Sequence, residues 1–517
     1  MAEPALDRRA FMAGMAASGF AGALPAAAQG DAQGDAPFTF ESVLALARAR
    51  AESDFDDSRQ TPSGPFADLD YDGYRAIRYR ADRRLWTGEG RGFSVDLLPP
   101  GSIYADAVRI STVVDGAVIP VPFDPTVFEF DPARFALPEG GLRPEDGAGM
   151  AWTGFRLRFP INRAEVEDEL LVFQGASYFR AIGRDQVFGL SARALAIGTG
   201  APRGEEFPVF TDFWLHRPEP SATETIVHAL LDSASVAGAY EFVVRPGAET
   251  VLDIRSVLFP RRRIDDIGVA PLTSMHLFSP LDRRGVDDHR NAVHDSAGLQ
   301  MLSGAGERIW RPLVNPEMLE VSTFIDHDPV GFGLAQRNRA FADFSDAEAR
   351  YGKRPTAWVS PKGSWGPGGV MLVEIPTETE FNDNIVAFWR PEAALEPGRP
   401  LELDYRLYWG EDAPDGAPLA RVMASRGGRY VNDPTRRTIA IDFALAEAGV
   451  EGLALHAEAG RGEIEAATLM PLPETGMVRA ALRFRPPEEG GAELRVLLRD
   501  AKGAPASETW LYRWGPG

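Results

Sequence analysis

The sequence predicts an all-β protein in which a large block of antiparallel strands precedes a smaller immunoglobulin-like β-sandwich. Apolar and polar residues alternate along many short segments, as expected for strands with one buried face. The alternation stops in the proline-rich segment 390–400 and restarts after it. The chain has 517 residues, more than a single hydrophobic core supports, so we expect at least two domains, over residues 37–395 and 398–517.

A single amphipathic helix precedes the strands of the first block. Its apolar residues recur at helical spacing and are Phe40, Val43, Leu44 and Ala47. Alternation then predicts strands that include residues 155–159, 240–244 and 251–258. A short helix is predicted at 345–348, because a serine and a glutamate there have the spacing of a capping box and Gly352 would end the helix.

The second block contains only short strand patterns. Alternating residues occupy 401–409, 439–443, 478–484, 494–498 and 510–514. Short strands at this spacing are typical of an immunoglobulin-like sandwich.

Composition excludes several classes of function. The chain has 75 acidic and 54 basic residues, a formal net charge of −21 at pH 7. Such a charge repels phosphate backbones, which argues against nucleic-acid binding and favours a neutral polymer as partner. The absence of cysteine excludes disulfides, thiolate catalysis and cysteine-ligated metals. We interpret the acidic, histidine-containing runs at 287–289 and 326–328 as solvated loops, so no metal or other cofactor is predicted.

The N-terminal residues predict export. Two adjacent arginines, Arg8 and Arg9, precede a weakly apolar run at residues 11–24, and small residues follow it. This order is typical of a twin-arginine signal peptide over residues 1–28, cleaved near Ala28. The apolar run is shorter than the roughly 20 residues that span a bilayer. We therefore expect a periplasmic mature protein.

The acidic turn within residues 373–389 is the strongest candidate for chemistry. Glu380 and Asp383 lie between two apolar, strand-like runs, close to Phe388 and Trp389. In glycan chemistry, aromatic rings stack on sugar faces while carboxyl groups move protons. The turn therefore predicts cleavage of a glycosidic bond, and the alternative is a solvated hairpin turn.

Other motifs accompany this turn in a fixed order. The turn follows the pair Trp365-Gly366, and further motifs occupy residues 175–180, 188–193, 204–208, 213–215, 269–275, 293–296, 310–313 and 348–351. Together they resemble the periplasmic glucan biosynthesis protein G/D family over nearly the whole chain. Within that family, the twin-arginine leader points to the D-type member. The resemblance implies that the first block is a β-sandwich of the galactose-mutarotase type.

The resemblance also implies a role for Asp383, and two further acidic residues are candidates for an inverting cleavage of β-1,2-glucan. Asp383 aligns with the general acid of family members that cleave this polymer. Asp295, in the matching Val-His-Asp-Ser segment, is assigned the activation of water or the orientation of a sugar. The alternative for Asp295 is a turn aspartate bonded to nearby backbone N–H groups. Glu380 is the rival base or a supporting group.

The predicted substrate groove combines aromatic rings with hydrogen-bonding side chains. The candidate rings are Tyr178, Trp358, Trp365, Phe388 and Trp389. The candidate polar contacts are Arg180, Arg193, His294 and Arg311. A core position is the alternative for each ring, but Trp365 is favoured for the groove because it lies in the glycine-rich loop 362–369. A hydrogen-bonded structural histidine is the alternative for His294.

The chain departs from the family pattern in two places. Residues 276–281 replace a segment that is usually aromatic, acidic and amide-containing, and Ala297 replaces a usual aspartate. Both changes fall near the expected groove and bear on chain-length preference and on the path of water.

Two functions follow from the resemblance. The first is an endo-acting β-1,2-glucanase or a transglycosylase that shapes osmoregulated periplasmic glucans. The second is a non-catalytic glucan-binding or assembly protein that works with the inner-membrane glucan synthase. The candidate partners are therefore β-1,2-glucan, the synthase and further copies of the chain. Sequence does not separate hydrolysis from transfer, because that choice depends on how well the groove excludes water.

Overall fold

A computed structural model describes residues 36–57, 59–283, 285–414, 419–445 and 450–515. The predicted signal peptide, residues 1–28, lies outside the described residues. The helices are α1 (Phe40–Ala51), α2 (Tyr71–Arg75) and α3 (Phe341–Phe344), with short 3₁₀ turns at Gly64–Phe66, Ala81–Arg83, Pro125–Val127, Pro144–Gly147 and Tyr351–Lys353.

The strands are β1 (Ile77–Tyr79), β2 (Ser94–Leu98), β3 (Arg109–Val114), β4 (Ala117–Pro120), β5 (Phe128–Phe130), β6 (Gly154–Arg163), β7 (Val166–Gln174), β8 (Tyr178–Ala181), β9 (Ser191–Arg193), β10 (Leu195–Ile197), β11 (Val209–His216), β12 (Thr225–Asp232), β13 (Val236–Arg245), β14 (Thr250–Pro260), β15 (Ile267–Ser274), β16 (His276–Phe278), β17 (Val293–His294), β18 (Gly298–Leu302), β19 (Arg308–Pro312), β20 (Glu320–His327), β21 (Gly331–Ala335), β22 (Thr356–Pro361), β23 (Pro367–Glu374), β24 (Ile385–Pro391), β25 (Leu401–Gly410), β26 (Arg421–Tyr430), β27 (Asp433–Ala444), β28 (Ala454–Ala459), β29 (Glu463–Leu472), β30 (Met477–Arg485), β31 (Ala492–Arg499) and β32 (Thr509–Trp514).

The all-β prediction is confirmed, and every predicted strand segment lies within an observed strand. The predicted first helix is α1, which buries Phe40, Val43 and Ala47 against Leu230 and Val257 of the sheet beneath it. Periodicity located these elements because each has one apolar face to bury. Among the described residues, no helix combines the length and the apolar character needed to cross a membrane.

The prediction of a helix at 345–348 is wrong. Helix α3 ends at Phe344, and Ser345 adopts a left-handed conformation with φ of 57°. The Asp346 carboxylate accepts hydrogen bonds from the backbone N–H groups of Glu348 (2.9 Å) and Ala349 (2.7 Å). The Asp346 side chain thus provides the hydrogen-bond acceptor for these two N–H groups in a turn. Such local bonds from a side chain compete with the hydrogen bonds of a helix.

Two large sheets form the main sandwich. The ten-stranded sheet has the order β2-β6-β7-β8-β9-β15-β24-β23-β20, with β10 also paired to β15. The fourteen-stranded sheet has the order β28-β31-β32-β19-β18-β21-β22-β25-β14-β13-β12-β11-β3-β4. Phe173 of the first sheet contacts Phe213 and Phe242 of the second at ring-centroid distances of 5.2 and 5.1 Å. The main core therefore lies between the two sheets, where its burial supplies the hydrophobic free energy of folding.

The second block contributes to the same sheet system. Strand β25, the first after the proline-rich segment, pairs with β14 and β22, and β32 pairs in parallel with β19. A four-stranded sheet, β26-β27-β30-β29, covers a second core that includes Phe443, Phe484 and Trp510. The division into two domains at residues 395–398 stays a prediction. Strands of the two blocks are hydrogen-bonded to each other across this division.

Candidate functional site

The acidic turn closes the hairpin between β23 and β24. These strands pair antiparallel, with Glu374 opposite Ile385, so the turn lies at one end of the ten-stranded sheet. Asn384 is buried and fixes the turn to β16. Its Oδ1 accepts from the backbone N–H of His276 at 2.8 Å, and its Nδ2 donates to the backbone oxygens of His276 and Ile375 at 3.0 Å each. The residue after Asp383 is thus a rigid anchor.

Asp383 combines access to solvent with dense surroundings. Its side chain is exposed, yet protein encloses the carboxyl group closely enough for desolvation to raise its pKa. The Asp383 carboxyl group is thus close to other protein groups and still reachable from solvent. The guanidinium groups of Arg180 and Arg193 act in the opposite direction and favour the ionised form.

The structure brings Asp295 to the same site. Asp295 follows β17, and its backbone N–H donates to the Met275 oxygen at 2.8 Å. Burial raises the pKa of Asp295 to about 6, opposed by Arg354, whose Nε lies 3.3 Å from Asp295 Oδ1. The charge of Asp383 raises the same pKa further. Arg180 lowers the pKa of both carboxyl groups, which places one cation within reach of both.

Glu380 is held by a strong ion pair. Arg290 Nη2 lies 2.7 Å from Glu380 Oε2, and the same guanidinium lies 2.9 Å from Asp288 and 3.1 Å from Asp346. Arg290 therefore ties the acidic turn to two other loops. The Glu380 carboxylate is therefore engaged by a charged partner at Oε2.

Tyr178 and Arg193 come from the paired strands β8 and β9, and both feel the charge of Asp383. Arg193 is buried; it contacts Glu205 at 2.5 Å, and its Nε donates to Thr273 Oγ1 at 2.9 Å. Its guanidinium lies over the Tyr178 ring at 4.9 Å. Burial raises the pKa of Tyr178, so its hydroxyl stays protonated and able to donate. These residues and Arg180 are predicted groove residues that the structure places near Asp383.

Other predicted groove residues lie in the core. Trp358, Phe388 and Trp389 are at most 2% exposed, so the structure favours the core alternative for these rings. Arg311 is also buried, with its Nη2 3.2 Å from Glu374 Oε2. Trp365 was expected to remain exposed in its loop.

Instead, Trp365 is half-buried. Its ring centroid lies 6.3 Å from that of Trp389 and 6.0 Å from that of Tyr405, so the loop folds the ring onto the core. Strand alternation alone does not distinguish a ring that faces the core from one that lines a groove.

His294 immediately precedes Asp295 in the chain. Its ring is buried and stacks on His276 at 5.1 Å with an interplanar angle of 6°. Burial and the neighbouring His276 lower the pKa of His294 to about 3, so it is neutral at physiological pH. These contacts favour the structural alternative for this histidine.

The two acidic, histidine-containing runs have internal partners. Asp288 is bound by Arg290, and Asp328 accepts from Ser364 Oγ and the Gly366 N–H at 2.7 Å each. In the described part of the chain, no three His, Asp or Glu side chains are grouped to hold a metal ion.

Two residues of the site have no sequence feature that identifies them, and a third has only one. Arg290 and Arg354 pair with the acidic groups only through the tertiary fold. Asn384 is adjacent to Asp383, and that adjacency in an amide-rich turn is the one sequence feature that points to it.

Comparison with known proteins shows which family this chain resembles over nearly its whole length. The family model described as periplasmic glucan biosynthesis protein, MdoG, matches residues 38–514. Glucans biosynthesis protein G 2 of Shewanella oneidensis is 41% identical over 92% of this chain and 89% of its own length. Glucans biosynthesis protein G of Rhodopseudomonas palustris is 40% identical over 99% of this chain and 100% of its own length. The protein of the same name from Bradyrhizobium diazoefficiens is 41% identical over 99% and 100%.

These relatives bear the G name, so assignment to the D type rests on the predicted leader alone and stays a prediction. Among solved structures, the Slr1438 protein of Synechocystis sp. PCC 6803 aligns with 70% of this chain and 100% of its own, at 8% identity and a TM-score of 0.17. A TM-score this low carries no argument about fold or function.

Proposed function

The chain belongs to the periplasmic glucan biosynthesis protein family, and within that role we propose that it cleaves or transfers chains of β-1,2-glucan. The observation that carries the proposal is that two carboxyl groups, Asp383 and Asp295, lie close enough for the charge of Asp383 to act on Asp295, with Arg180 near both. Glycosidic cleavage needs one carboxyl group that stays protonated and one that accepts a proton.

Asp383 acts as the general acid. Because its pKa is raised and it remains reachable from solvent, it donates its proton to the glycosidic oxygen as the bond from that oxygen to the anomeric carbon breaks. The Asp383 carboxylate that this leaves is stabilised by the nearby Arg180 and Arg193 guanidinium groups.

Asp295 acts as the proton acceptor. A pKa of about 6 leaves it mostly ionised at neutral pH yet basic enough to take a proton. The oxygen of water, or of a sugar hydroxyl in transfer, bonds to the anomeric carbon from the face opposite the leaving oxygen, and its proton passes to Asp295. The configuration at that carbon is thereby inverted. Tyr178 and Arg180 provide donors to sugar hydroxyls, and the buried Arg193 supports the Tyr178 ring from within the protein.

The test is the substitution Asp383→Asn. The amide keeps the shape of the side chain and cannot donate the proton, so the rate of cleavage of linear β-1,2-glucan should fall by about 10²-fold or more, while glucan binding is retained. Asp115→Asn, in the exposed turn between β3 and β4, is the matched control and should leave the rate unchanged.

Activity of Asp383→Asn within a few-fold of wild type would remove Asp383 from the acid role and leave Glu380 as the next candidate. A wild-type chain that binds glucan without shortening or cyclising it would instead favour the non-catalytic function with the inner-membrane synthase as partner.

A further inference from the structure

A cavity of about 380 Å³ lies against the strand that leads into Asp295. Its walls come from residues 279–283, 291–297, 310–312, 338–343 and 423–426, so both sequence blocks contribute. His294 lines the cavity and Asp295 does not. Asp383 does not line it either, so the cavity is distinct from the carboxyl pair.

The charges that line the cavity already have partners. Arg283 donates to the backbone oxygens of Asp288 and Arg290, and Arg426 lies 2.8 Å from Asp442. The Asp343 carboxylate accepts from the backbone N–H of Ala340 at 3.0 Å. Arg426 is paired with a carboxylate, and the positive charge of Arg283 is matched in the lining by the negative charge of Asp343, so the lining has no excess of positive charge to attract an anionic ligand. The lining therefore suits an uncharged ligand.

The remaining polar groups suit hydroxyls. Within the described chain, the Asn338 side chain has no hydrogen-bond partner, so its amide offers both a donor and an acceptor. Ser425 Oγ accepts from Trp510 Nε1 at 2.9 Å, which leaves its own hydrogen to donate. A sugar hydroxyl both donates and accepts and can pair with either group.

Part of the lining is apolar. Leu281, Trp310 and Pro312 form this part of the wall. The volume falls in the ordinary range for small-ligand sites, about 300–1,000 Å³, where apolar walls combine with a few polar groups. A pyranose has the matching chemistry, with apolar C–H faces and hydroxyls at its rim.

We propose that this cavity is a second saccharide site, which binds a short glucosyl unit beside the carboxyl pair. The choice of glucose rests on the proposed function, whereas the fit to a neutral polyhydroxylated ligand rests on the lining alone. The site holds a chain end or neighbouring segment of the glucan while leaving Asp383 and Asp295 free to act.

The test uses sophorose, the β-1,2-linked glucose disaccharide, with the full mature chain. Isothermal titration should give two sites per wild-type chain. Ala342 is exposed and lines the cavity, so Ala342→Trp fills the cavity and should lower the stoichiometry to one. Ala347→Trp is the matched control, because Ala347 is equally exposed and lies outside the lining; it should retain two sites.

Two further measurements keep the test decisive if Ala342→Trp does not fold. Asn338→Ala removes a neutral hydrogen-bonding group and should weaken the second site about fivefold. Hydrogen exchange of residues 338–343 and 423–426 should slow when sophorose binds.

One site per wild-type chain, or equal stoichiometry in the two tryptophan variants, would overturn the proposal. These outcomes are independent of cleavage, since a chain that never cuts glucan can still bind sophorose twice, and a chain that cuts it can bind sophorose once.

Discussion

Replacement of Arg354 by glutamine is expected to move the acid limb of the pH–rate profile to higher pH. Asp295 must be ionised to accept a proton, so the wild-type rate should fall as pH drops through about 6, the pKa of that carboxyl group. Arg354 favours the ionised form, whereas Asp383 and Glu380 favour the protonated form and Arg180 opposes them. Loss of the Arg354 charge therefore raises the pKa of Asp295.

The size of the shift follows from the contact distance. With Arg354 Nε 3.3 Å from Asp295 Oδ1, Coulomb's law gives about 1 kcal/mol in a medium like water and about 5 kcal/mol at an effective dielectric constant of 20. One pKa unit corresponds to 1.36 kcal/mol, so the range is roughly 1 to 4 units. The two side chains are 21% and 12% exposed, and solvent screening favours the lower end. We expect a shift of about one unit.

The assay is release of reducing ends from linear β-1,2-glucan between about pH 4 and pH 9. At pH 6, Arg354→Gln should lose several-fold more activity than it loses at pH 8, where Asp295 is again ionised. Arg399→Gln, at an exposed arginine of the proline-rich segment, is the control and should keep the wild-type profile. A folded Arg354→Gln chain whose acid limb stays at the wild-type pH would refute the role of Asp295 as proton acceptor.

Three other predictions concern the ion pairs of Arg290, the stereochemistry of cleavage and the export of the protein. Arg290→Met should lower kcat by tenfold or more with little change in KM, because the acidic turn loses its ion pairs with Arg290. Arg290→Lys should restore only part of the rate, since an ammonium does not serve three carboxylates as a guanidinium does. Equal kcat in the wild-type chain and both variants would contradict this role of Arg290. The first product released should be the α-anomer by NMR, and early β-anomer would exclude inversion. Joint replacement of Arg8 and Arg9 by lysine should leave unprocessed precursor in the cytoplasm on immunoblots of cell fractions, and normal periplasmic recovery would contradict the twin-arginine signal.

Elements with one buried face were predictable from sequence, and elements set by local polar contacts were not. Helix α1 and strands such as β14 and β25 follow their apolar periodicity, because burial of one face dominates their free energy. The turn at Asp346 looked helical by its capping spacing. Two backbone N–H groups bind the Asp346 carboxylate instead, and that competition has no periodic pattern in the sequence.

The candidate site divides in the same way. The acidic side chains Asp383 and Asp295 stand out from sequence because carboxyl groups of this kind carry chemistry, and the fold brings them together. Arg354 and Arg290 do not stand out, since arginine is common and its partner is chosen by tertiary contact. Trp358 and Trp389 have the ring chemistry of a sugar platform, but both side chains are buried in the fold.

The support on both sides of Asp383 bears on whether the site is catalytic. Glu380, three residues before it, is fixed by Arg290, and Asn384, immediately after it, makes three hydrogen bonds to backbone groups. A carboxyl group that only accepts hydrogen bonds from sugar hydroxyls gains little from such support, because hydroxyls rotate to suit their acceptor. A general acid must stay within hydrogen-bond reach of one oxygen as the bond breaks, and misplacement of about 1 Å can cost a factor near 10² in rate. The double support therefore favours proton transfer over simple binding at this turn.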